Sequence, residues 1–134
     1  MDTKQDGTPR PPPQSGPGAR VLVVDDDESL WRLACRWLQS LGYAPVGVSS
    51  PTEAIQRLAA EPFDLLLSDI AMPGSMDGVA LAKFAKGRYP KMRLLLASAY
   101  ASQMLVDSDL PANLLGKPYQ KEDLAEAVAL ALRA

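Results

Sequence analysis

The chain has 134 residues, 47% of them hydrophobic, which suits one domain of ordinary size around one packed core and leaves no room for a separate output module. A formal charge of -2 and a pI near 5.1 give no basic field for nucleic-acid binding, and no DNA-binding motif is present, so direct nucleic-acid contact is not expected. The absence of histidine removes His-ligated zinc, Ser-His-Asp hydrolysis and a phosphohistidine-carrier role, and no apolar run approaches the roughly 18 residues that cross a bilayer, so the expectation is a cytoplasmic chain without membrane contact.

Residues 1–19 are rich in Pro, Gly, Gln, Ser and Thr without apolar periodicity and read as a disordered leader, in which the proline run after Arg10 (Pro11 to Pro13) is a weaker candidate for a polyproline-type ligand. The domain is expected over 20–134. Its first strand is Arg20 to Val24, followed by a helix over Glu28 to Ser40, where Leu30, Leu33, Ala34, Trp37, Leu38 and Leu41 build one apolar face and Gly42 ends it. Cys35 lies within that helix and reads as a packing residue. A strand over Ala44 to Val48 precedes a helix over Pro51 to Ala60, opened by Ser50 with Glu53 three residues on, the pattern of a capping box. Next come a strand over Asp64 to Ser68, a helix over Asp77 to Lys86 and a strand over Met92 to Ala97. A weaker helix near Ala101 to Ser108, expected to be short or mobile, a strand over Ala112 to Gly116 and a helix over Lys121 to Arg133 complete the chain. The alternation predicts an α/β fold with a doubly wound, five-stranded parallel sheet. The first, third and fourth strands are the most apolar and should be central, covered on both faces.

In such a sheet, functional groups gather beyond the carboxyl ends of the strands. The first strand runs into Asp25, Asp26, Asp27 and Glu28, and the third into Asp69. Carboxylates brought together there repel one another unless a cation sits among them, and hard oxygen ligands suit Mg²⁺ or Mn²⁺. Asp27 and Glu28 fit better as a solvated acidic start to the helix, where negative charge complements the dipole. Ser98 at the end of the fourth strand and Lys117 after the fifth bring a hydroxyl and a cation to the same rim, as a phosphoryl group on Asp69 would require.

Over about residues 19–133 the chain resembles the receiver domain of two-component response regulators, on the strength of VLVVDDDES, DLLLSDIAMPGSMDGVALA, LLLASAY and LLGKPY in that order. The MPGSMDG stretch, one residue longer than the commoner form, is similar to receivers of hybrid histidine kinases and their stand-alone relatives. The resemblance implies a flavodoxin-like (βα)5 receiver fold and a signalling domain that catalyses only its own phosphorylation and dephosphorylation. It implies Asp69 as phosphoacceptor, Mg²⁺ held by Asp25, Asp26, Asp69 and the backbone carbonyl of Ala71, and phosphoryl contacts from Ser98 and Lys117, with a cis Lys117-Pro118 bond. The donor would be a sensor histidine kinase or a histidine phosphotransfer protein, with small acyl phosphates as substitutes, and the output an unknown protein target. Met1 and an end just after the last helix suggest a natural stand-alone regulator.

Three positions depart from the family pattern. Leu114 stands where many receivers carry an aromatic switch residue, Tyr100 is the candidate to replace it in partnership with Ser98, and Ala71 offers no polar side chain to orient water, so slow self-dephosphorylation is expected. Two rival readings remain. VLVVDDDESL also fits a haloacid-dehalogenase-type phosphatase with Asp25 as nucleophile and Asp27 as general acid, but the 17 residues after Lys117 leave no place for that family's last acidic motif. The other is a receiver-like module that binds partners without phosphorylation.

Overall fold

The computed structural model describes residues 18–99 and 112–133. Five strands, β1 (Arg20–Val24), β2 (Ala44–Val48), β3 (Leu65–Asp69), β4 (Arg93–Ser98) and β5 (Asn113–Gly116), form one parallel sheet in the order β2-β1-β3-β4-β5. The described helices are α1 (Glu28–Ser40), α2 (Pro51–Ala60), α3 (Gly78–Arg88) and α4 (Lys121–Arg133). The expected weak helix and Tyr100 lie outside the described residues, as does nearly all of the leader.

Successive side chains on a strand point to opposite faces, so a strand covered on both sides must be apolar throughout. That explains the unbroken runs in β1, β3 and β4. Val21, Val23, Leu65, Leu67 and Leu95 pack with Ala34 and Leu38 of α1 and Leu124, Val128 and Leu132 of α4. Their neighbours Leu22, Val24, Leu66, Leu94 and Leu96 pack on the other face with Ala54 and Leu58 of α2 and Leu81, Ala82 and Ala85 of α3. Each fully buried leucine contributes about 1.5–3 kcal/mol relative to exposure. The three central strands are the ones the sequence marked as most apolar.

Helix starts follow local side-chain chemistry. Asp27 caps α1, accepting from the backbone N–H of Ser29 at 3.0 Å, and Gly42, at φ +97, turns the chain after it. Ser50 caps α2 by accepting from the N–H of Glu53 at 3.2 Å, while Glu53 reaches past Ser50 to accept from the N–H of Ser49 at 2.8 Å, one residue earlier than in the usual reciprocal box. Asp77 caps α3 through the N–H of Ala80, so Asp77 stands outside the helix rather than within it. At its other end α3 runs two residues beyond the expected Lys86, because Gly87 takes no left-handed conformation and Lys86 and Arg88 suit the negative end of the helix.

The third strand starts one residue later than expected. The Asp64 carboxylate accepts from the N–H of Arg20 at 2.7 Å, which bridges the feet of β1 and β3 ahead of the ladder. Among the described residues no helix is long and apolar enough to cross a membrane.

The edge strand β2 is fastened to α1 through Gly47. A Cβ there would lie 2.0 Å from the Trp31 ring, and that indole donates to the Ser49 hydroxyl at 2.9 Å. Gly47→Ala must therefore displace Trp31 and break its hydrogen bond, with an expected loss of about 1–3 kcal/mol by urea denaturation. At the exposed Gly87, where nothing stands within 4 Å of the added methyl, alanine should instead stabilise by up to about 1 kcal/mol.

Candidate functional site

Parallel register brings the candidate residues together. Val24 pairs with Ser68, so the residues that follow, Asp25 and Asp69, stand side by side at the carboxyl rim. Asp69 pairs with Ala97 and Ser98 pairs with Gly116, which sets Ser98 and Lys117 along the same rim. Two backbone bonds tie its ends: the N–H of Asp25 donates to Val48 O at 3.2 Å and that of Lys117 to Ser98 O at 2.9 Å.

The carboxylates of Asp25, Asp26 and Asp69 bring one oxygen each to within 4.8 Å of one another. Asp25 and Asp69 are each only 8% exposed, whereas Asp26 faces solvent. The Lys117 ammonium reaches between the two buried acids, 3.3 Å from Asp69 Oδ1 and 3.6 Å from Asp25 Oδ2. Asp25 Oδ1 also accepts from the N–H of Asp27 at 2.9 Å. Burial nonetheless pushes the Asp25 carboxyl above its ordinary range; the Asp27 N–H and Lys117 oppose this, while Asp69 and Asp26 add to it. Asp27 is shifted the opposite way, chiefly because the Ser29 hydroxyl donates to it. Its carboxylate is occupied in capping α1, which removes the general acid that the phosphatase reading needs.

The loop after β3 is closed by glycine. Gly78 donates from its N–H to Ile70 O at 2.9 Å, and a Cβ at this position would lie 2.1 Å from the Asp69 carbonyl oxygen. Only a residue without a side chain lets α3 begin this close to the backbone of Asp69. Gly74, at φ +104, supplies the bend that accommodates the longer loop. Ala71 is exposed at its start, Ser98 is 6% exposed, and Leu114 is half-buried against the α2/α3 face of the sheet. The Lys117-Pro118 bond is cis, as the family resemblance implied.

Beside the carboxylates lies a largely apolar cavity of about 360 Å³, walled by Leu30, Leu33, Ala34 and Trp37 of α1 and by Pro118 and Tyr119, with Asp25 and Lys117 at one end. Trp37 and Tyr119 meet edge to face, with ring centroids 6.3 Å apart. Burial, and then the charges of Asp25 and Asp69, push the Tyr119 phenol up to about 12, so it stays neutral. Burial alone pushes the Cys35 thiol up to about 11, consistent with a packing residue rather than a nucleophile. The sequence contained Tyr119 and Gly78 within its motifs, but their positions on this cavity and against Asp69 depend on contacts across the sheet.

The sequence profile of the response regulator receiver domain matches residues 21–129. The chain belongs to the response regulator receiver family. It is 36% identical over 112 residues to the response regulator receiver protein CpdR of Brucella abortus, covering 81% of this chain and 92% of that protein. It is 38% identical over 125 residues to the DNA-binding transcriptional regulator NtrC of Escherichia coli, covering 85% of this chain but only 24% of NtrC. Among solved structures, the CheY-like receiver domain protein of Methanospirillum hungatei superposes with a TM-score of 0.78 at 27% identity, over 87% of this chain and 94% of that one. This receiver domain is therefore a signalling domain of two-component systems with the flavodoxin-like fold.

The raised Asp25 carboxyl has a consequence for stability. A carboxyl with a higher pKa in the folded than in the unfolded chain binds its proton more readily when folded, so stability falls as pH climbs from about 3.8 through the raised value. Asp25→Asn keeps an oxygen for the Asp27 N–H and removes the buried charge. In chelator-treated protein it should raise Tm at pH 7, and the gain should vanish below pH 3.8, measured by thermal melts across that range. Equal Tm values at pH 7 would contradict the assignment.

Proposed function

We propose that this receiver domain is a phosphoacceptor switch in which Asp69 takes a phosphoryl group from the phosphohistidine of a sensor histidine kinase or a histidine phosphotransfer protein. The observation that carries this reading is the Lys117 ammonium held against the buried Asp69 carboxylate at the rim where strand ends converge. An oxygen of Asp69 attacks the phosphorus in line; the P–N bond of the donor breaks, and its imidazole nitrogen keeps the electron pair and takes a proton from solvent. The product is an acyl phosphate on Asp69. Lys117 exchanges part of its contact with Asp69 for a phosphoryl oxygen, and the Ser98 hydroxyl donates to another.

The donor set fits a divalent cation. Three hard oxygen donors lie within reach of one another, and one of them, Asp25, is an acid whose charge is disfavoured chiefly by its burial. Asp25, Asp26, Asp69 and the Ala71 carbonyl would hold Mg²⁺ or Mn²⁺, whose charge offsets that of the phosphoryl oxygens. Asp25 and Asp26 thereby act as ligand positions, and Asp69 as both ligand and nucleophile. Signalling follows from two states of one surface, biased by the added charge and read by a protein target.

Incubation with acetyl phosphate and Mg²⁺, followed by intact-mass spectrometry, is expected to add one phosphoryl group to wild type and none to Asp69→Ala, with strongly reduced labelling of Asp25→Ala. Labelling that survives in Asp69→Ala and disappears in Asp25→Ala would instead indicate a phosphatase-type nucleophile. Failure to label even with a cognate kinase would point to a phosphorylation-independent module.

The phosphorylated state should be long-lived. Ala71 presents only a methyl group two residues after Asp69, so no side chain there aligns a water for attack on the acyl phosphate. The decay of the labelled protein in Mg²⁺ is expected to take minutes or longer, and a half-life of seconds would reject this account of Ala71.

A further inference from the structure

Of the polar side chains buried among the described residues, Asp25, Asp64, Asp69 and Ser98 keep 6–8% exposure, and Ser68 keeps none. Ser68 closes the leucine run Leu65 to Leu67 and directly precedes Asp69, at a place where an aliphatic residue would continue the pattern of a strand covered on both faces. A hydroxyl out of reach of water costs stability unless it is bonded, so the bond it makes indicates its use. The Ser68 hydroxyl donates to the backbone carbonyl of Asp69 at 2.9 Å. Full burial keeps Ser68 from touching a phosphodonor, and any effect it has on the chemistry passes through that carbonyl.

The carbonyl stands just past the end of a ladder. It belongs to the peptide unit between Asp69 and Ile70, whose N–H donates to Ala97 O at 3.0 Å. The C=O and N–H of a trans peptide point in opposite directions, so the Asp69 oxygen faces the β1 side, where pairing ends at Val24 and Ser68, one residue short of it. Gly78 packs against the same oxygen, and the next carbonyl, that of Ile70, accepts from the Gly78 N–H at 2.9 Å. The backbone leaving Asp69 is thus pinned at Ala97 and at Gly78 by main-chain bonds and at Ser68 by a side chain. Without the hydroxyl, the Asp69 carbonyl becomes a buried acceptor that has lost its donor, and the peptide unit can hinge about its bond to Ala97. The Asp69 carboxylate, 3.3 Å from the Lys117 ammonium, branches from the residue on one side of this unit, and the Ala71 carbonyl lies two residues beyond it.

We propose that Ser68 is a positioning residue for the phosphoacceptor: its buried hydroxyl holds the Asp69–Ile70 peptide unit and thereby fixes the line of approach of the Asp69 carboxylate to phosphorus. The tether stands on the geometry alone. Its consequence for phosphoryl transfer rests on the phosphoacceptor reading.

The test compares Ser68→Thr with Ser68→Val, two side chains of similar shape of which one keeps the hydroxyl, so that the cost of added bulk is common to both. Ser68→Ala, which adds no bulk, is the third variant. In chelator-treated protein without a phosphodonor, the ¹³C resonance of the Asp69 backbone carbonyl is expected to move upfield in Ser68→Ala and Ser68→Val, as loss of a hydrogen-bond donor requires, and to stay near its wild-type position in Ser68→Thr. Labelling by acetyl phosphate in saturating Mg²⁺, followed by intact mass, should be about tenfold slower in Ser68→Ala and Ser68→Val than in wild type, with most of the rate recovered in Ser68→Thr. Equal rates for the threonine and valine variants, or rates that simply follow Tm across all three, would overturn the proposal and leave Ser68 a packing residue. A wild type that fails to label while the carbonyl resonance behaves as expected would overturn the phosphoacceptor reading and keep the tether.

Discussion

The lysine wedged between two buried acids is the interaction on which the site depends. Asp25 and Asp69 are held in place by main-chain register and cannot move apart without breaking the sheet, so their repulsion has to be offset locally. Lys117 offsets part of it, and its own position depends on the bond from its backbone N–H to Ser98 O across the β4/β5 pair. Buried ion pairs are weak sources of stability, because desolvation takes back much of the Coulombic gain. Here the arrangement leaves one acid with a raised pKa even with the lysine present, so the rim is electrostatically unrelaxed in the folded chain. A binding site that retains such tension responds strongly when a cation or a phosphoryl group alters the charge balance.

Most of the architecture was legible in the residues. Strands buried on both faces announce themselves as unbroken aliphatic runs, and the three most apolar strands, β1, β3 and β4, hold the central places in the sheet. Three of the four described helices carry the expected bounds, since Asp27, Ser50 and Gly42 are local signals that act through neighbouring backbone groups. The small displacements occur where a distant partner decides. Asp64 bonds to the backbone of Arg20, 44 residues away, and so stands outside the ladder, while β4 keeps Ser98 because that residue pairs with Gly116. Neither partner is visible from within the segment.

The candidate site was legible in a different sense. Acidic residues at strand ends imply convergence once the sheet is parallel, and the motif resemblance assigned each of them a role. What spacing could not convey was the balance of forces: that Lys117 touches both acids, that Asp25 is more buried than Asp26, and that Gly78 admits the Asp69 carbonyl at a distance no side chain allows. The cavity beside Trp37 and Tyr119 was also hidden, because its walls come from residues far apart in the chain. Receiver domains with the same motifs can therefore share their chemistry while differing in what this neighbouring surface accepts.

Both tryptophans of the chain belong to α1, and they look in different directions. Trp31 lies on Gly47 of the edge strand and donates to Ser49, whereas Trp37 meets Tyr119 on the wall of the cavity. Intrinsic fluorescence of this protein is thus an optical record of one helix, with one chromophore on the sheet margin and the other on the cavity wall against Tyr119. Any spectral change on metal addition or acyl-phosphate formation can be traced to α1 without attaching a dye.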